Sequence, residues 1–261
     1  MQSHQNTIDV ESLLRVARAA ARKAAKIISG AMDSDRVVTK NFPGDLVTHL
    51  DVSAEKAIRD VLARARPDDL IVGEELDDSG LAGTGIRWSI DPIDGTSNRV
   101  KGSPLYAVSI AAKDLAQGRW LVGVVHAPDL GREYYASRGC GSWLSRAGAP
   151  PTRLRGPAAG SGSRLLGTGF SYDPAMRVEQ LSALAERMSS FDDLRSIGSA
   201  ALGLCAVADG SFDAFVETDL YEFDWAAGAL IAEEAGVSVA RPDTQRGAIF
   251  AGAIDDPTRH A

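Results

Sequence analysis

The chain is poor in cysteine and contains no long uninterrupted apolar run. Two cysteines among 261 residues, Cys140 and Cys205, are too few for a disulfide scaffold and form no CxxC pair. No segment has the length of a membrane span, and no apolar signal core precedes a cleavage site near the N-terminus. Cations are also outnumbered, with 28 Lys and Arg against 35 Asp and Glu. The sequence therefore predicts a cytoplasmic protein whose bulk charge favours neither nucleic acid nor an anionic membrane.

What is present is the composition of a globular protein, with 44% apolar and 24% charged residues. A long amphipathic helix is predicted after a capping Asp9. Its apolar face is mostly alanine and would hold a membrane weakly, so we interpret its basic arc as the solvated face of a packed helix. Residues 148–163 are rich in Gly, Pro, Ala and Ser. They predict a boundary between two halves, residues 1–150 and residues 151–261.

Periodicity and breaker residues divide the rest of the chain into helices and strands. Further helices are predicted over residues 53–65, 176–189, 199–209 and 225–235. Strands are predicted over residues 70–72, 87–90, 107–111, 121–126, 134–136, 164–168, 213–217, 237–240 and 248–251. Helices and strands of this number predict a mixed α/β or α+β fold.

The most informative segment is the run DPIDGT over residues 91–96, directly after the strand at 87–90. Pro92 is expected to stop the strand, and Asp91 and Asp94 can bring two carboxylates together across the turn. Gly95 lets the backbone approach a ligand closely, and Thr96 can cap a following helix. The alternative is a plain turn, because Asp-Pro and Asp-Gly are both common turn dipeptides.

Other acids lie at comparable positions, where a strand ends or a helix begins. Glu74 follows the strand at 70–72, Asp45 and Asp51 precede a helix, and Asp224 opens another. Taken singly, the Glu could be solvated and the Asp residues could be helix caps. Taken together, half-buried carboxylates repel one another, and a hard divalent cation with oxygen ligands removes that repulsion. Since no Lys or Arg lies within these motifs, we expect the group to bind Mg²⁺ or Mn²⁺.

At these residues the chain resembles the inositol monophosphatase family of Mg²⁺-dependent phosphomonoesterases, in particular its bacterial SuhB-type branch. The resemblance covers most of the chain. Its motifs are the DxVTxxD-like segment at 45–51, GEE at 73–75, DPIDGT at 91–96, AVSI at 107–110, RSIGSAA at 195–201 and DWAAG at 224–228. The order of GEE, DPIDGT and DxAAG is highly specific.

The resemblance implies metal ligands and catalytic residues. The ligands it implies for two Mg²⁺ ions, with a third and weaker ion at Glu74, are Glu74, Asp91, the carbonyl of Ile93, Asp94 and Asp224. The residues it implies for catalysis are Asp45 and Thr96, which would orient the attacking water, together with Glu74. No His, Cys or Ser nucleophile is required, and we interpret His4, His49, His126 and His260 as structural or exposed.

The resemblance also implies how substrate is held. The amides of Gly95 and Thr96 would bind the phosphate, and Glu217 would contact substrate hydroxyls. The remaining residues implied in the substrate pocket are Ser199, Ala200 and Asp224. The implied fold is the five-layered α-β-α-β-α sandwich of the inositol monophosphatase (sugar phosphatase) type, and the implied assembly is a homodimer.

Three hypotheses about function are left open. The first is inositol 1-phosphate, and the second is histidinol phosphate or another small phosphomonoester, since Glu217 and Glu222 could attract a cation. The third is a protein that acts by binding a partner such as transcription machinery. Four departures from the family pattern bear on the pocket mouth: Leu50, Arg99, Lys101 and Glu222. We expect them to affect substrate choice and not the reaction.

Overall fold

A computed structural model describes residues 8–29, 37–158, 160 and 162–253. Its α-helices are α1 (Val10–Ile28), α2 (His49–Ala65), α3 (Thr96–Val100), α4 (Pro174–Arg187), α5 (Ala200–Ala208) and α6 (Glu222–Glu234), and a 3₁₀ turn spans Met188–Ser190. Its first nine strands are β1 (Val37–Thr39), β2 (Leu46–Thr48), β3 (Leu70–Gly73), β4 (Ile86–Asp94), β5 (Ala107–Asp114), β6 (Arg119–Ala127), β7 (Arg132–Ser137), β8 (Gly141–Arg146) and β9 (Thr152–Arg153). The others are β10 (Leu165–Thr168), β11 (Asp193–Ser196), β12 (Ala214–Tyr221), β13 (Val239–Ala240) and β14 (Arg246–Gly252).

The helices and sheets stack in five layers. Helices α1 and α2 cover one face of a seven-stranded sheet of order β3-β4-β5-β6-β7-β8-β9, which is antiparallel apart from β3 beside β4. Helices α5 and α6 fill the space between this sheet and a five-stranded sheet of order β11-β10-β12-β14-β13. Helix α4 packs on the outer face of the second sheet. The α-β-α-β-α sandwich predicted from the sequence is confirmed.

Helix α1 begins where the sequence predicts, because the Asp9 carboxylate accepts a 2.9 Å hydrogen bond from the Ser12 amide. Its alanine-rich face is buried against α2 and the large sheet. The basic arc, however, is more than a solvated face. The side chains of Arg18 and Arg22 both pair with Glu133 of β7, which is only 4% exposed. None of the helices in the described ranges is long and apolar enough to cross a bilayer.

Helix α2 begins at His49, four residues before the predicted start at residue 53. Thr48 and Asp51 form a reciprocal cap: the Leu50 amide donates to the Thr48 hydroxyl at 3.1 Å, and the Thr48 amide donates to Asp51 at 2.8 Å. The cap satisfies amides that a helix start leaves without intrahelical partners. It therefore extends α2 to the end of β2, close to the acids considered next.

Candidate active site

Three carboxylates meet where β4 ends and α6 begins. One carboxylate oxygen each from Asp91, Asp94 and Asp224 lies within 4.8 Å of the other two. Asp91 and Asp94 are buried, and Asp224 is half-buried. The structure thus brings together acids that are separated by more than a hundred residues in the chain. With Glu74 of the segment after β3, we refer to these four residues as the acidic cluster.

A bulge at the end of β4 aims both aspartates at the same point. Asp91 pairs with Ser109 and Asp94 with Ala107 of β5, so one more residue is accommodated on β4 between the two pairs. The expectation that Pro92 stops the strand is wrong, because β4 continues to Asp94 and only loses pairing at the bulge. The Ile93 amide donates a 2.9 Å hydrogen bond to Asp91 Oδ1, which fixes that carboxylate.

Helix α5 holds Asp94 from the other half of the chain. The Ser199 hydroxyl and the Ala201 amide donate to Asp94 Oδ2, the latter at 2.8 Å, and the Ala200 amide donates to Oδ1 at 3.3 Å. The free amides of a helix start favour a carboxylate at this place. Ser199 and Ala200, predicted to line the substrate pocket, therefore act in this structure as partners of Asp94.

Asp224 lies in the first turn of α6, as its third residue and not as the cap. Its Oδ2 accepts a 2.7 Å hydrogen bond from the Tyr221 amide, just before the helix. This bond fixes the position of a carboxylate that also lies within reach of Asp91 and Asp94. An acid in the first turn stabilises a helix, and here it also completes the cluster.

Glu74 enters the cluster together with a lysine that the sequence motifs do not reveal. Lys40 Nζ lies 2.8 Å from Glu74 Oε1 and 2.5 Å from Glu75 Oε1. No Lys or Arg lies within the acid motifs themselves, but Lys40, between β1 and β2, supplies one positive charge from outside them. Burial raises the pKa of Glu74, and Lys40 opposes that rise. Burial and the charge of Glu74 raise the pKa of Glu75 to about 7.

Burial and mutual repulsion raise the pKa values of the aspartates in the cluster. Burial raises the pKa of Asp91 well above its ordinary value, and the charges of Glu74, Asp94 and Asp224 raise it further. Burial and the charge of Asp94 likewise raise the pKa of Asp224. Burial raises the pKa of Asp94 to about 6, although Ser199 and two amides favour its charged form. An all-oxygen group of acids that resist ionisation suits a hard divalent cation such as Mg²⁺.

Thr96, the first residue of α3, contacts Asp51, whereas the resemblance implies Asp45 as its partner in orienting the attacking water. Its hydroxyl lies 2.9 Å from Asp51 Oδ1 and 2.9 Å from the Ile93 carbonyl. Asp45, the predicted partner, instead accepts from the Asn41 amide at 3.2 Å. Asp51 is fully buried and serves both the cap of α2 and the hydroxyl of Thr96. The sequence indicates Asp51 as a helix cap or as one acid of the metal-binding group, and no local pattern indicates a contact 45 residues away.

Gly95 is the N-cap of α3, so the prediction that Thr96 caps this helix is wrong by one residue. Its φ of 97° lies in the left-handed region. A Cβ here would lie 2.9 Å from the Leu105 carbonyl oxygen and 3.0 Å from that of Gly198. The position therefore requires glycine, both for its backbone angle and for the close packing of two loops.

Glu217 of β12 lies near the acidic cluster, half-buried. Burial raises its pKa to about 8, and the charge of Asp94 contributes to the rise. A Cβ on Gly169 would collide with the Glu217 carboxylate at 2.3 Å, so the glycine makes room for this side chain. The carboxyl group therefore lies beside the cluster, and its role as a substrate contact stays a prediction.

Two departures predicted at the pocket mouth lie elsewhere. Arg99 is 2% exposed, and its Nε donates at 2.8 Å to the Ile28 carbonyl at the end of α1. Glu222 is buried in an ion pair with Arg87. Neither side chain is therefore free to select a substrate. A third departure, Lys101, is exposed after α3.

Two of the four histidines interpreted as structural or exposed, His4 and His260, lie outside the described residues.

Comparison with known proteins places this geometry in context. The sequence profile of the inositol monophosphatase family matches residues 9–258. The inositol-1-monophosphatase of Mycobacterium leprae (strain TN) is 38% identical over 90% of this chain and 85% of its own length. The inositol-1-monophosphatase SuhB of Mycobacterium tuberculosis (strain H37Rv) is 43% identical over 81% of this chain and 74% of its own.

Two further similarities concern function and fold. The Nus factor SuhB of Pseudomonas aeruginosa is 38% identical over 87% of this chain and 84% of its own length. The crystal structure of the extragenic suppressor protein suhB from Bartonella henselae superposes with a TM-score of 0.83. It is 32% identical and covers 92% of this chain and 93% of that one. Proteins of similar sequence therefore carry two different functional names.

Proposed function

The chain belongs to the inositol monophosphatase family and is a phosphoric monoester hydrolase, and from that premise we propose that it hydrolyses a small phosphorylated polyol with Mg²⁺. The substrate proposed first is inositol 1-phosphate. The observation that carries the proposal is the acidic cluster, in which buried carboxylates converge with pKa values raised by burial and by one another. Mn²⁺ is proposed as a substitute cation.

The residues proposed to hold two or three ions are those of the acidic cluster with the Ile93 carbonyl. When bound, Mg²⁺ supplies charge neutralisation of the phosphoryl group and an acidified water. The Thr96 hydroxyl donates to Asp51 or to Ile93, which leaves its oxygen lone pairs free to accept a hydrogen bond from a water. On the family resemblance, Asp45 is proposed as a second residue that orients this water.

Substrate binding is proposed to use the backbone and one carboxyl group. The amides of Gly95 and Thr96 open α3, where a helix leaves amides without intrahelical acceptors, so they can donate to phosphate oxygens. Glu217 is proposed to meet the hydroxyls of the polyol, with Asp224 at the same wall. The alternative of a cationic substrate such as histidinol phosphate loses part of its support, since Glu222 is engaged by Arg87.

The decisive experiment is phosphate release from a panel of monoesters by purified protein. Protein stripped with a chelator should be inactive, and added Mg²⁺ should restore turnover, with inositol 1-phosphate ahead of histidinol phosphate and p-nitrophenyl phosphate. Asp91→Asn should abolish turnover, whereas the exposed control Asp78→Asn should keep it. Activity that survives exhaustive chelation, or near-normal rates in Asp91→Asn, would contradict the proposal.

A second role as a partner-binding protein is proposed because relatives of this chain carry the name Nus factor SuhB. A pull-down with the transcription elongation complex, run with wild type and with the inactive Asp91→Asn variant, separates this role from hydrolysis.

We also propose a homodimer in the cytoplasm, on the family resemblance and the scarcity of cysteine. Sedimentation equilibrium measures the mass, and a monomer at micromolar concentration would contradict the dimer.

A further inference from the structure

A cavity of about 540 Å³ opens beside the turn between β5 and β6. Its charged wall consists of four cations and one acid: Lys113, Arg119, Arg138, Arg241 and Glu233. No residue of the acidic cluster is among its described lining residues. The wall therefore carries a net positive charge of three in a chain whose net charge is −7. A local field of this sign attracts anions.

The single acid of the wall cannot neutralise the cations around it. Glu233 already pairs with two guanidinium groups, Arg138 at 2.9 Å and Arg241 at closer contact. Lys113 lies 5.1 Å above the ring of Trp120 and 3.8 Å from Glu222. That glutamate is in turn shared with Arg87, which pairs with Lys113 in the β4–β5 register. Behind the wall, Lys113 and Arg87 therefore share the single acid Glu222, so the net positive charge is not cancelled there.

The same wall holds buried N–H groups that have no acceptor. Trp225 is 2% exposed, and its indole N–H has no hydrogen-bond partner among the described residues. Arg241 Nε and Nη2 are likewise buried without partners in that part of the chain. Buried donors are normally satisfied, and an unmet one is unfavourable. These buried groups add no acceptor to the wall, and the ligand that complements its net positive charge is an anion.

We propose that this cavity is a second anion site, which binds a small phosphate-bearing metabolite apart from the place of hydrolysis. Phosphate oxygens match the planar forks of arginine and accept several hydrogen bonds at once. The volume falls within the range of small-molecule pockets, about 300–1,000 Å³. The ligand class is therefore a phosphorylated small molecule.

The test uses inorganic tripolyphosphate as the probe and the full-length protein in the presence of a chelator. Without metal, the acidic cluster repels an anion, so binding reports on the cavity. Titration is followed by calorimetry and by tryptophan fluorescence, because Trp120 and Trp225 lie in the wall. We expect saturable binding that Arg119→Glu weakens at least about tenfold, as the loss of a charged hydrogen-bond donor implies.

The variants are matched so that misfolding cannot explain the result. Arg119 is exposed, and Arg64→Glu on the exposed face of α2 makes the same charge change elsewhere. Arg64→Glu should bind as wild type, and Arg241→Gln should weaken binding with an unchanged circular dichroism spectrum. Absence of saturable binding, or equal binding by Arg119→Glu and Arg64→Glu, would overturn the proposal. Tighter binding of an oligoglutamate peptide than of tripolyphosphate would also overturn it, because the partner would then be an acidic protein segment.

Discussion

Asp51 shows how one buried residue can serve structure and chemistry together. It caps α2 through the Thr48 amide and accepts from the Thr96 hydroxyl with its other oxygen. The cap is readable from sequence because its partners are three residues apart. The contact with Thr96 is not, because it depends on how α2 packs against β4. The acidic cluster itself could be predicted only through motif spacing and family resemblance, since each acid singly also fits a turn or a cap.

Removing the Thr96 hydroxyl should reduce kcat more than it changes KM. The hydroxyl is proposed to position a water, while the backbone amides proposed for phosphate remain in place. Water-positioning groups contribute about 10²–10⁴-fold to rate. Steady-state kinetics of Thr96→Ala measure the effect, and Thr96→Ser, which keeps the hydroxyl, should recover most of it. A raised KM with unchanged kcat in Thr96→Ala would assign the residue to binding.

Substitution of Glu217 should separate the proposed substrates. Its pKa of about 8 makes the protonated carboxyl the main form at neutral pH in the metal-free protein, and Gln resembles that form. For inositol 1-phosphate, Glu217→Ala should lower kcat/KM roughly tenfold to hundredfold, and Glu217→Gln less. For an ammonium-bearing ester, Gln should be nearly as harmful as Ala. The control ester is p-nitrophenyl phosphate; no change with any ester would remove Glu217 from the pocket.

The metal-free protein should become less stable as pH rises. Folded-state pKa values of about 6 for Asp94, 7 for Glu75 and 8 for Glu217 lie above those of an unfolded chain. The folded state therefore binds more protons, and its stability is lost as these groups ionise. We expect Tm in chelator to fall on the order of 5 °C between pH 5 and pH 8, and Mg²⁺ to reduce the fall. Parallel Tm curves with and without Mg²⁺ would contradict this expectation.

At the scale of elements, helix α1 is attached to the large sheet by a partly buried ion-pair network around Glu133. Glu133 accepts from Arg22 Nε at 2.6 Å and from Arg18, and His126 Nδ1 lies 3.2 Å away. The Arg18 guanidinium also lies 3.9 Å from the centre of the Tyr135 ring. The basic arc predicted as solvent-facing is thus partly a docking surface. Helical periodicity locates such an arc, but it cannot show that an acid faces it from a distant strand.

Neutralising Glu133 should loosen this attachment in a pH-dependent manner. Burial alone would raise the pKa of Glu133, but hydrogen bonds from His126, Arg22 and Arg18 lower it to about 2. The ionised form therefore stabilises the fold above the unfolded-chain pKa, and that contribution is lost as pH falls toward 2. Glu133→Gln should cost about 3 kcal/mol at pH 7, measured by urea unfolding.

The difference in unfolding free energy between wild type and Glu133→Gln should decrease as the pH falls. Near pH 3 the wild-type and Glu133→Gln proteins should differ less in unfolding free energy than at pH 7. Glu186→Gln, at an exposed position of α4, is the matched control and should change stability little. A pH-independent difference would show that packing, and not charge, carries the effect.

Strands were predicted less completely than helices. β11 has the polar sequence DLRS and is largely exposed, and it forms because it lies parallel to β10 at the sheet edge. β8 and β9 also lay outside the predicted set. Helix α5, by contrast, matches its prediction to within a residue at each end, since Ser199 caps it and accepts from the Leu202 amide. Local caps act through neighbouring residues, whereas edge strands depend on partners elsewhere in the chain.

At the scale of the whole molecule, the two predicted halves share one core. The cluster between the sheets combines β5, β6 and β7 of the first half with α5, α6, β12 and β14 of the second. Asn98 also joins them, since its Nδ2 donates at 2.7 Å to both the Leu105 and the Ile197 carbonyls. We therefore propose that the boundary near residue 150 separates two lobes of one cooperative unit.

Cooperative unfolding tests this proposal. The full chain should show one thermal transition by both calorimetry and circular dichroism, with equal calorimetric and van't Hoff enthalpies. Residues 1–150 expressed alone should lack a cooperative transition and bind a hydrophobic dye, because the inner sheet face would lose its cover. A reversible, cooperative transition of that fragment would contradict the proposal.

The hydrogen bonds between the start of α5 and Asp94 have a consequence for how the protein folds. The bonds from Ser199, Ala200 and Ala201 span 105 to 107 residues of chain, and contacts of such separation form slowly. We therefore expect the pocket to assemble late, after each sheet has its own strands in register. During refolding from urea, catalytic activity should return behind the recovery of far-ultraviolet ellipticity. We therefore expect a newly synthesised chain to form its secondary structure before it gains catalytic activity.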